Sequence, residues 1–189
     1  MRGEKQMPEI KNVTTGKAKI TGSVYRAALG TALPTDAKTA LTEEFKDLGF
    51  VSEDGVVNEN SPDSEDIKAW GGTIVYTSQK EKPDTFKLTL ISSMDENVLK
   101  AVYGDENVVV ATNLITVKAT ADEQKEAVFV IEMALRGGAV KRIVIPDGKI
   151  SEIGEINYND EDLVGYEITI TCMPDKTGVS HYEYILKGE

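Results

Sequence analysis

The sequence predicts a mainly β protein, a β-sandwich or β-barrel of about eight to ten strands, with one flanking α-helix at about residues 94–103 and a short helix at about residues 40–48. Three observations lead to this fold class. Apolar and polar residues alternate along many short segments, which is the period of half-buried strands. Turn signals that contain glycine or proline separate these segments. Only two segments have the apolar spacing of a helix.

The predicted strands run through most of the chain. A first and less regular strand is expected over residues 18–29. Residues 73–77 and residues 86–91 alternate regularly, and the polar turn at residues 80–84 between them predicts a hairpin. A turn is also predicted at Pro146-Asp147-Gly148, between two of the later strands. The later strands are predicted over residues 114–119, 128–135, 140–145, 166–173 and 182–187.

The helix at about residues 94–103 has signals at both of its ends. Ser93 is followed three residues later by Glu96, which is the spacing of a capping box. Gly104 can supply the left-handed residue that commonly ends a helix. Apolar residues four apart line one side of the segment. The sequence therefore predicts a helix that flanks the sheet.

The short helix at about residues 40–48 rests on a single stripe. Leu41, Phe45 and Leu48 fall on one side of a helical projection, and Gly49 follows as a stop signal. We expect this segment to plug an open end of the sheet.

One domain is expected over residues 1–189, because β-sandwiches of ~200 residues commonly remain undivided. Residues 1–17 are expected to form a flexible N-terminal arm. Residues 53–68 are rich in carboxylates and contain three apolar side chains, too few to bury a segment of this length. A long acidic loop is therefore expected over residues 53–68, and deleting residues 55–66 is expected to leave a folded monomer.

The sequence offers little for catalysis, metal binding or membrane insertion. With one cysteine, Cys172, and one histidine, His181, neither an internal disulfide nor a Cys/His zinc site can form. Cys172 is expected to face inward and His181 outward on alternating strands. No apolar run is long enough to cross a bilayer, and the N-terminus lacks a secretory signal. The sequence predicts no catalytic residue, no metal site and no cofactor.

The net charge of −11 is unevenly distributed. Residues 1–26 carry a net charge of +4, which leaves −15 for the rest of the chain. A groove that grips nucleic acid through its phosphates is therefore not expected. Two interpretations remain: a basic tail beside a solvated acidic surface, or a basic arm that docks on an acidic neighbour. The candidate contact residues of the second interpretation are Lys17, Lys19, Arg26, Asp54, Glu59, Asp63, Glu65 and Asp66.

Trp70 is a further contact candidate. It lies where the expected acidic loop meets a strand, and Gly71 and Gly72 follow it. Because glycine has no side chain, another backbone can approach closely there. The motif suits a bulge or a seam between subunits.

Several motifs, taken in order, are similar to those of one known family. They are Leu29-Gly30-Thr31 with Leu33-Pro34, residues 48–55, Lys68-Ala69-Trp70-Gly71-Gly72, residues 86–91 and Val102-Tyr103-Gly104. With these motifs the sequence resembles the tail tube (major tail) proteins of long, non-contractile-tailed phages. The C-terminal half is similar only in its richness in strands.

The resemblance implies a structural role. Six copies would close into a ring, and rings would stack into a hollow tube through which DNA leaves the virion. The implied partners are other copies of the chain and the tape measure, terminator and distal tail proteins, with DNA only as passing cargo. Neither catalytic residues nor a cofactor are implied, and no membrane is involved. The protein would be made in the host cytoplasm and reside in the virion tail.

Other functions are weighed beside this one. A capsid decoration protein or a tail terminator would also assemble, but a terminator would stop at one ring. A monomeric ligand-binding or carbohydrate-binding β-sandwich would not assemble at any concentration. An enzyme would need a carboxylate pair in a deep cleft, and the sequence offers no such grouping.

Overall fold

A computed structural model describes residues 10–19 and 23–188, and it confirms the mainly β fold class. These residues form thirteen strands and one α-helix, α1, at Glu96–Tyr103. The strands are β1 Gly16–Ala18, β2 Val24–Ala28, β3 Lys46–Asp47, β4 Val51–Glu59, β5 Asp63–Lys68, β6 Ile74–Glu81, β7 Thr85–Leu90, β8 Val108–Ala111, β9 Leu114–Val117, β10 Ala127–Leu135, β11 Val140–Ile153, β12 Tyr166–Cys172 and β13 Tyr182–Leu186.

Nine of the strands form one antiparallel sheet. Its order is β3-β2-β10-β11-β12-β7-β4, with β1 paired to β10 and β13 paired to β11. The other four strands form two separate hairpins, β5–β6 and β8–β9. The predicted hairpin of residues 73–77 with residues 86–91 is wrong, because β6 pairs with β5 while β7 lies between β12 and β4.

Strand β11 belongs to both halves of the large sheet. Its first part pairs with β10, and its last part, residues 148–153, pairs with β12. The predicted turn at Pro146-Asp147-Gly148 is wrong, because these residues lie within β11. At this point the register of β10 and β11 shifts, as at a β-bulge, and such an irregularity bends a strand without ending it.

The bend requires glycine at position 148. A Cβ atom there would lie 2.8 Å from Cδ2 of Phe129 and 3.1 Å from Cγ2 of Ile170. Phe129 belongs to β10 and Ile170 to β12, so the two halves of the sheet approach each other at this residue. Gly148 therefore lets one strand pass from one half to the other.

The two halves share one hydrophobic core. Phe129 and Ile145 come from the β10 half, and Phe86 and Ile170 from the β7 half, and all four are at least 99% buried. Helix α1 adds Val98 and other side chains of its apolar face to the same cluster. One continuous core between two sheet layers is the arrangement of a sandwich.

The outer face of β10 is also covered. Val128 and Val130 form a second cluster with Phe45, against which Leu33 and Leu41 pack. Because both faces of β10 are buried, six consecutive residues of this strand are buried instead of alternating.

The covering segment is not a helix. Residues 40–48 contain a turn and the two-residue strand β3, so the predicted short helix is wrong. Its apolar residues are nevertheless used for packing: Phe45 is 7% exposed and Leu48 is fully buried, each in a different core cluster. An irregular segment can present apolar residues three or four apart as a helix does, so the spacing alone was misleading.

Helix α1 confirms the prediction of a helix near residues 94–103, with a different cap. The Asp95 carboxylate accepts hydrogen bonds from the backbone N–H groups of Asn97, at 2.7 Å, and Val98, at 3.3 Å. Asp95 is therefore the N-cap in place of Ser93. Gly104 ends the helix with φ of 96° and ψ of 143°, a conformation with positive φ that favours glycine but is not the left-handed helical one expected.

The predicted acidic loop over residues 53–68 is wrong. Strand β4 continues to Glu59, and β5 begins at Asp63. The N-terminal arm expected over residues 1–17 lies partly outside the described residues. Within them, Gly16–Ala18 pairs with the end of β10. In the part of the chain that the structure describes, no helix is long and apolar enough to span a membrane.

Candidate assembly surface

The hairpin of β5 and β6, residues 63–81, projects from the sheet; we call it the hairpin arm. Its strands pair only with each other, and none of its residues belongs to either core cluster. Every residue of β5 is exposed. Because successive side chains of a strand point to opposite faces, neither face of β5 is covered.

The hairpin arm exposes a large amount of apolar side chain. Ile67 and Tyr76 are cross-strand partners, 49% and 63% exposed. Ile74 and Val75 add to the same exposed hairpin. An isolated two-stranded hairpin is marginally stable in water, and exposed apolar clusters of this kind commonly mark an interaction surface.

Trp70 lies at the tip of the hairpin arm and is fully exposed. A tight turn presents it: the N–H of Ala69 donates to the carbonyl of Thr73 at 2.8 Å. Gly71 and Gly72 have φ of 101° and 88°, in the region that favours glycine. The three residues predicted as a bulge or subunit seam therefore form an exposed turn.

The acidic candidates of β5 lie along the hairpin arm. Glu65 forms an ion pair with Lys80 on the facing strand, with Nζ and Oε2 2.8 Å apart. Asp66 accepts a hydrogen bond from the Thr77 hydroxyl at 2.7 Å. Asp63 is exposed at the start of the strand. These carboxylates surround the apolar residues of the arm.

The two remaining acidic candidates lie on β4. Asp54 is exposed where the pairing of β4 with β7 is interrupted between Val51 and Val56, and Glu59 is exposed at the end of the strand. In the described sheet, β4 is an edge strand, with β7 as its neighbour on one side. The structure thus brings the acidic candidates and the Trp70 turn to one edge and its projecting hairpin.

The basic candidates are not brought together. Lys17 is exposed on β1. Lys19 donates to the buried carboxylate of Glu132 at 2.7 Å. Arg26 forms two hydrogen bonds with Asp105, at 2.9 and 2.8 Å. Of the three, Lys17 alone has an exposed side chain without a recorded ion pair among the described residues.

Sequence reasoning missed the attachment that holds the base of the hairpin arm. Asp84, just before β7, lies 2.5 Å from Nδ1 of His181 and accepts a hydrogen bond from the Asn58 side chain at 2.8 Å. The His181 ring also contacts Phe86 edge to face, with centroids 5.2 Å apart. The expectation that His181 points outward is wrong, because Asp84 draws the ring into the base of the arm. The one signal in the sequence was that Asp84 lies between two predicted strands.

A buried ion pair inside the sheet was also missed. Arg142 and Glu132 face each other in the register of β10 and β11, with side chains 2% and 4% exposed. The Arg142 guanidinium also donates to the carbonyls of Asp36 and Thr39, at 2.7 and 2.8 Å. It thereby fixes the covering segment on the sheet. The available signal in the sequence was Glu132, the one charged residue of the otherwise apolar strand β10.

Asp36 is itself held in a rigid turn. Its carboxylate accepts hydrogen bonds from the hydroxyl and the N–H of Thr39 and from the N–H of Lys38. These bonds lower the pKa of Asp36 to about 2. The acid therefore stabilises the turn as a carboxylate over the ordinary pH range.

The described residues offer no group of three or more side chains suited to a metal ion. Cys172 is buried in the shared core, as expected, and burial raises the pKa of its thiol to about 12. A thiol of this kind is a packing group at neutral pH, because the thiolate is the reactive form.

A solved structure described as the cryo-EM structure of the anti-feeding prophage cap, a tube-terminating cap, is 10% identical, with a TM-score of 0.41 over 84% of this chain and 95% of that one. None of the curated proteins compared matches the sequence. The model of the family described as "Phage tail tube protein" matches residues 17–188, nearly the whole chain. This match confirms the resemblance, and the chain belongs to the phage tail tube protein family, whose members are structural components of the virion tail.

Proposed function

We propose that this protein is the repeating subunit of a tail tube. Six copies close into a ring, and the rings stack head to tail into a hollow tube that conducts DNA. The observation that carries the proposal is the hairpin arm, an apolar-rich and exposed hairpin whose strands pair only with each other among the described strands and whose residues belong to neither core cluster. Such a hairpin needs a partner for its stability. In a homo-oligomer that partner is another copy.

The edges of the sheet support ring closure. Strands β4 and β13 each pair on one side, with β7 and β11 respectively. An unpaired edge is a template for another strand, which makes it a hazard in a monomer and a joint in a ring. Edge-to-edge contact between identical copies is heterologous, so it generates a closed ring if the rotation closes. Six copies is the number implied by the family.

The charge of the chain suits a conduit. Duplex DNA carries one negative charge per ~1.7 Å of its axis, so a cationic wall would bind it and slow its passage. A subunit with a net charge of −11 can instead present a wall that repels the duplex. In this proposal DNA is cargo, the chain performs no catalysis, and it needs no cofactor.

The partners follow from a position in the tail shaft. Other copies supply most of the contacts. A tape measure protein would lie inside the tube during assembly, and terminator and distal tail proteins would contact its two ends. This residence in the virion tail requires the protein to be made in the host cytoplasm before assembly.

The test removes the hairpin arm while keeping the sheet. Deleting residues 55–66, as the sequence suggested, would remove the pairing of Val56–Glu59 with β7 and damage the core. Replacing residues 62–82 by Asn-Gly instead keeps β4, β7 and Asp84, and supplies a two-residue hairpin turn. Wild-type and variant proteins are concentrated and compared by negative-stain microscopy and sedimentation velocity.

We expect stacked rings or tubes from the wild type and a folded, unassembled variant. Counting subunits in end-on views gives the ring size, with six expected. Wild-type protein that stops at single rings would indicate a terminator, and protein that stays monomeric at every concentration would indicate a binding module. Normal tubes from the variant would contradict the role of the hairpin arm.

A further inference from the structure

A groove lies between the two ends of the large sheet; we call it the seam groove. Strands β1 and β4 approach each other there without forming a ladder. The groove has a volume of about 630 Å³ and is lined by Gly16–Ala18, residues 51–56 and residues 131–133. It is the place where the sheet comes near to closing on itself.

The seam groove has an apolar floor and a charged rim. Val51, Val56, Ile131 and Met133 contribute apolar surface. The buried hydroxyl of Ser52 has no hydrogen-bond partner among the described residues. That oxygen has almost no accessible surface, so an occupant of the groove contacts the apolar floor and the charged rim and not this hydroxyl.

The seam groove and the hairpin arm lie at opposite ends of β4. Residues 51–56 line the groove, whereas the arm continues beyond Glu59. In the register with β7, Val51 lies opposite Leu90 and Glu59 opposite Thr85, so the two ends of β4 are about five residues, or ~17 Å, apart. Each copy therefore has a projecting hairpin at one end and a receiving groove at the other. A contact between unlike ends of identical copies repeats without limit along an axis.

We propose that Trp70 of one copy inserts into the seam groove of the next copy along the tube; this rests on the proposed function, in that the occupant is a second copy. The exposed indole supplies apolar surface for the floor of the groove. Its N–H, which can only donate, stays at the polar rim of the groove. Gly71 and Gly72 add no side chains beside it, so the turn enters a narrow space.

The charges beside the two surfaces are complementary. Lys68, two residues before Trp70, approaches Glu53 and Asp54 on the rim of the groove. Lys17 on the opposite rim approaches the acidic strand β5, where Asp66 is exposed. Opposite charges at both rims favour one orientation of the arm in the groove.

The first test needs no variant, because Trp70 is the single tryptophan of the chain. Assembly should shift its fluorescence emission to the blue and reduce quenching by acrylamide. Tubes in which Trp70 stays as accessible as in the free subunit would overturn this inference and leave the proposed function intact. A protein that never assembles would overturn the proposed function itself.

A second measurement locates the tryptophan. A nitroxide is attached to Glu53→Cys, an exposed position on the rim of the groove, in a Cys172→Ser background, and a minority of labelled copies is assembled with unlabelled ones. Quenching of Trp70 is expected in tubes and not in free subunits, since within one copy β4 separates groove and arm. The matched control carries the label at Tyr158→Cys, an exposed loop position. Equal quenching by both labels, or none at position 53, would contradict docking.

Discussion

The central strand pair β10–β11 and the hairpin arm are both antiparallel and hydrogen-bonded along their length, yet they lie in opposite environments. Strand β10 is buried on both faces, by the shared core on one side and by the covering segment on the other. Strand β5 of the arm is exposed on both faces. Strand pairing therefore does not determine stability in this protein. The chain itself covers the first pair and leaves the second pair exposed.

The same contrast holds for two cross-strand ion pairs. Glu132 and Arg142 are almost fully buried, whereas Glu65 and Lys80 are more than half exposed. The buried pair has further hydrogen bonds to the covering segment, while the exposed pair is surrounded by water. Substitution in the two regions should therefore have very different consequences.

The largest expected effect is at the buried pair. Arg142→Ala leaves the Glu132 carboxylate buried with Lys19 as its remaining cation, and removing one partner of a buried pair costs about 3–5 kcal/mol. The matched change in the arm, Lys80→Ala, should cost less than about 1 kcal/mol, since exposed pairs contribute little. Urea unfolding followed by circular dichroism measures both. Similar losses of unfolding free energy in the two variants would contradict the contrast between the buried ion pair and the hairpin arm.

The next effect concerns two glycines. Gly148→Ala places a methyl group within 2.8 Å of Phe129, and overpacking of this kind costs about 1–3 kcal/mol. Gly71→Ala meets no atom within 4 Å, and its strained φ affects only the tip of the arm. The free energy of global unfolding should therefore change by less than about 0.5 kcal/mol for Gly71→Ala. A larger loss at Gly71 than at Gly148 would indicate that the arm is part of the core.

A smaller effect appears at alkaline pH. Burial, followed by the nearby Tyr103 and Tyr158, raises the pKa of Tyr166 from 10 to about 12. The folded state thus holds a proton that the unfolded state releases, so this stabilisation is complete below pH 10 and is lost as the pH rises towards 12. The loss is on the order of 1 kcal/mol. Tyr166→Phe should flatten the decline in unfolding free energy between pH 10 and 12, and an unchanged slope would contradict this assignment.

The smallest effect on stability is expected for Tyr76→Ser in the hairpin arm. The side chain is 63% exposed, so the unfolding free energy should change by less than about 0.5 kcal/mol. Assembly should nevertheless weaken, because the proposed contact loses an aromatic group, and the critical concentration should rise at least about tenfold. Sedimentation of a concentration series gives this value. Unaltered assembly would show that Tyr76 is not part of the contact surface.

The sequence predicted best where local pattern and final environment agree. Strands such as β12 alternate between a buried and a solvated side, and their period was visible. Helix α1 combined an apolar face with end signals, although Asp95 replaced Ser93 as its cap. In these elements the local residues carry most of the information.

Prediction failed where a distant part of the chain decides the structure. Pro146-Asp147-Gly148 has the composition of a turn, yet Gly148 is needed for the close approach of Phe129 and Ile170. Leu41 and Phe45 have helical spacing, but the face of β10 that they cover determines their conformation. Such contacts between distant residues leave no periodic pattern in the local sequence.

The candidate contact site was predicted in part. Trp70 and its two glycines were singled out and lie at an exposed tip, whereas Lys19 and Arg26 are engaged within their own chain. The seam groove could not be predicted, because it is formed by β1, β4 and β10, which are distant in sequence. Whether these surfaces meet in the tube remains a prediction.

Hydrogen exchange of free and assembled protein, followed by mass spectrometry, tests the central claim most directly. Amides of β10 should be protected in both forms and serve as the internal reference. Amides of residues 63–81 should exchange rapidly in the free subunit and at least about tenfold more slowly in the assembled particle. Equally rapid exchange of the hairpin arm in both forms would contradict the claim that another copy completes it.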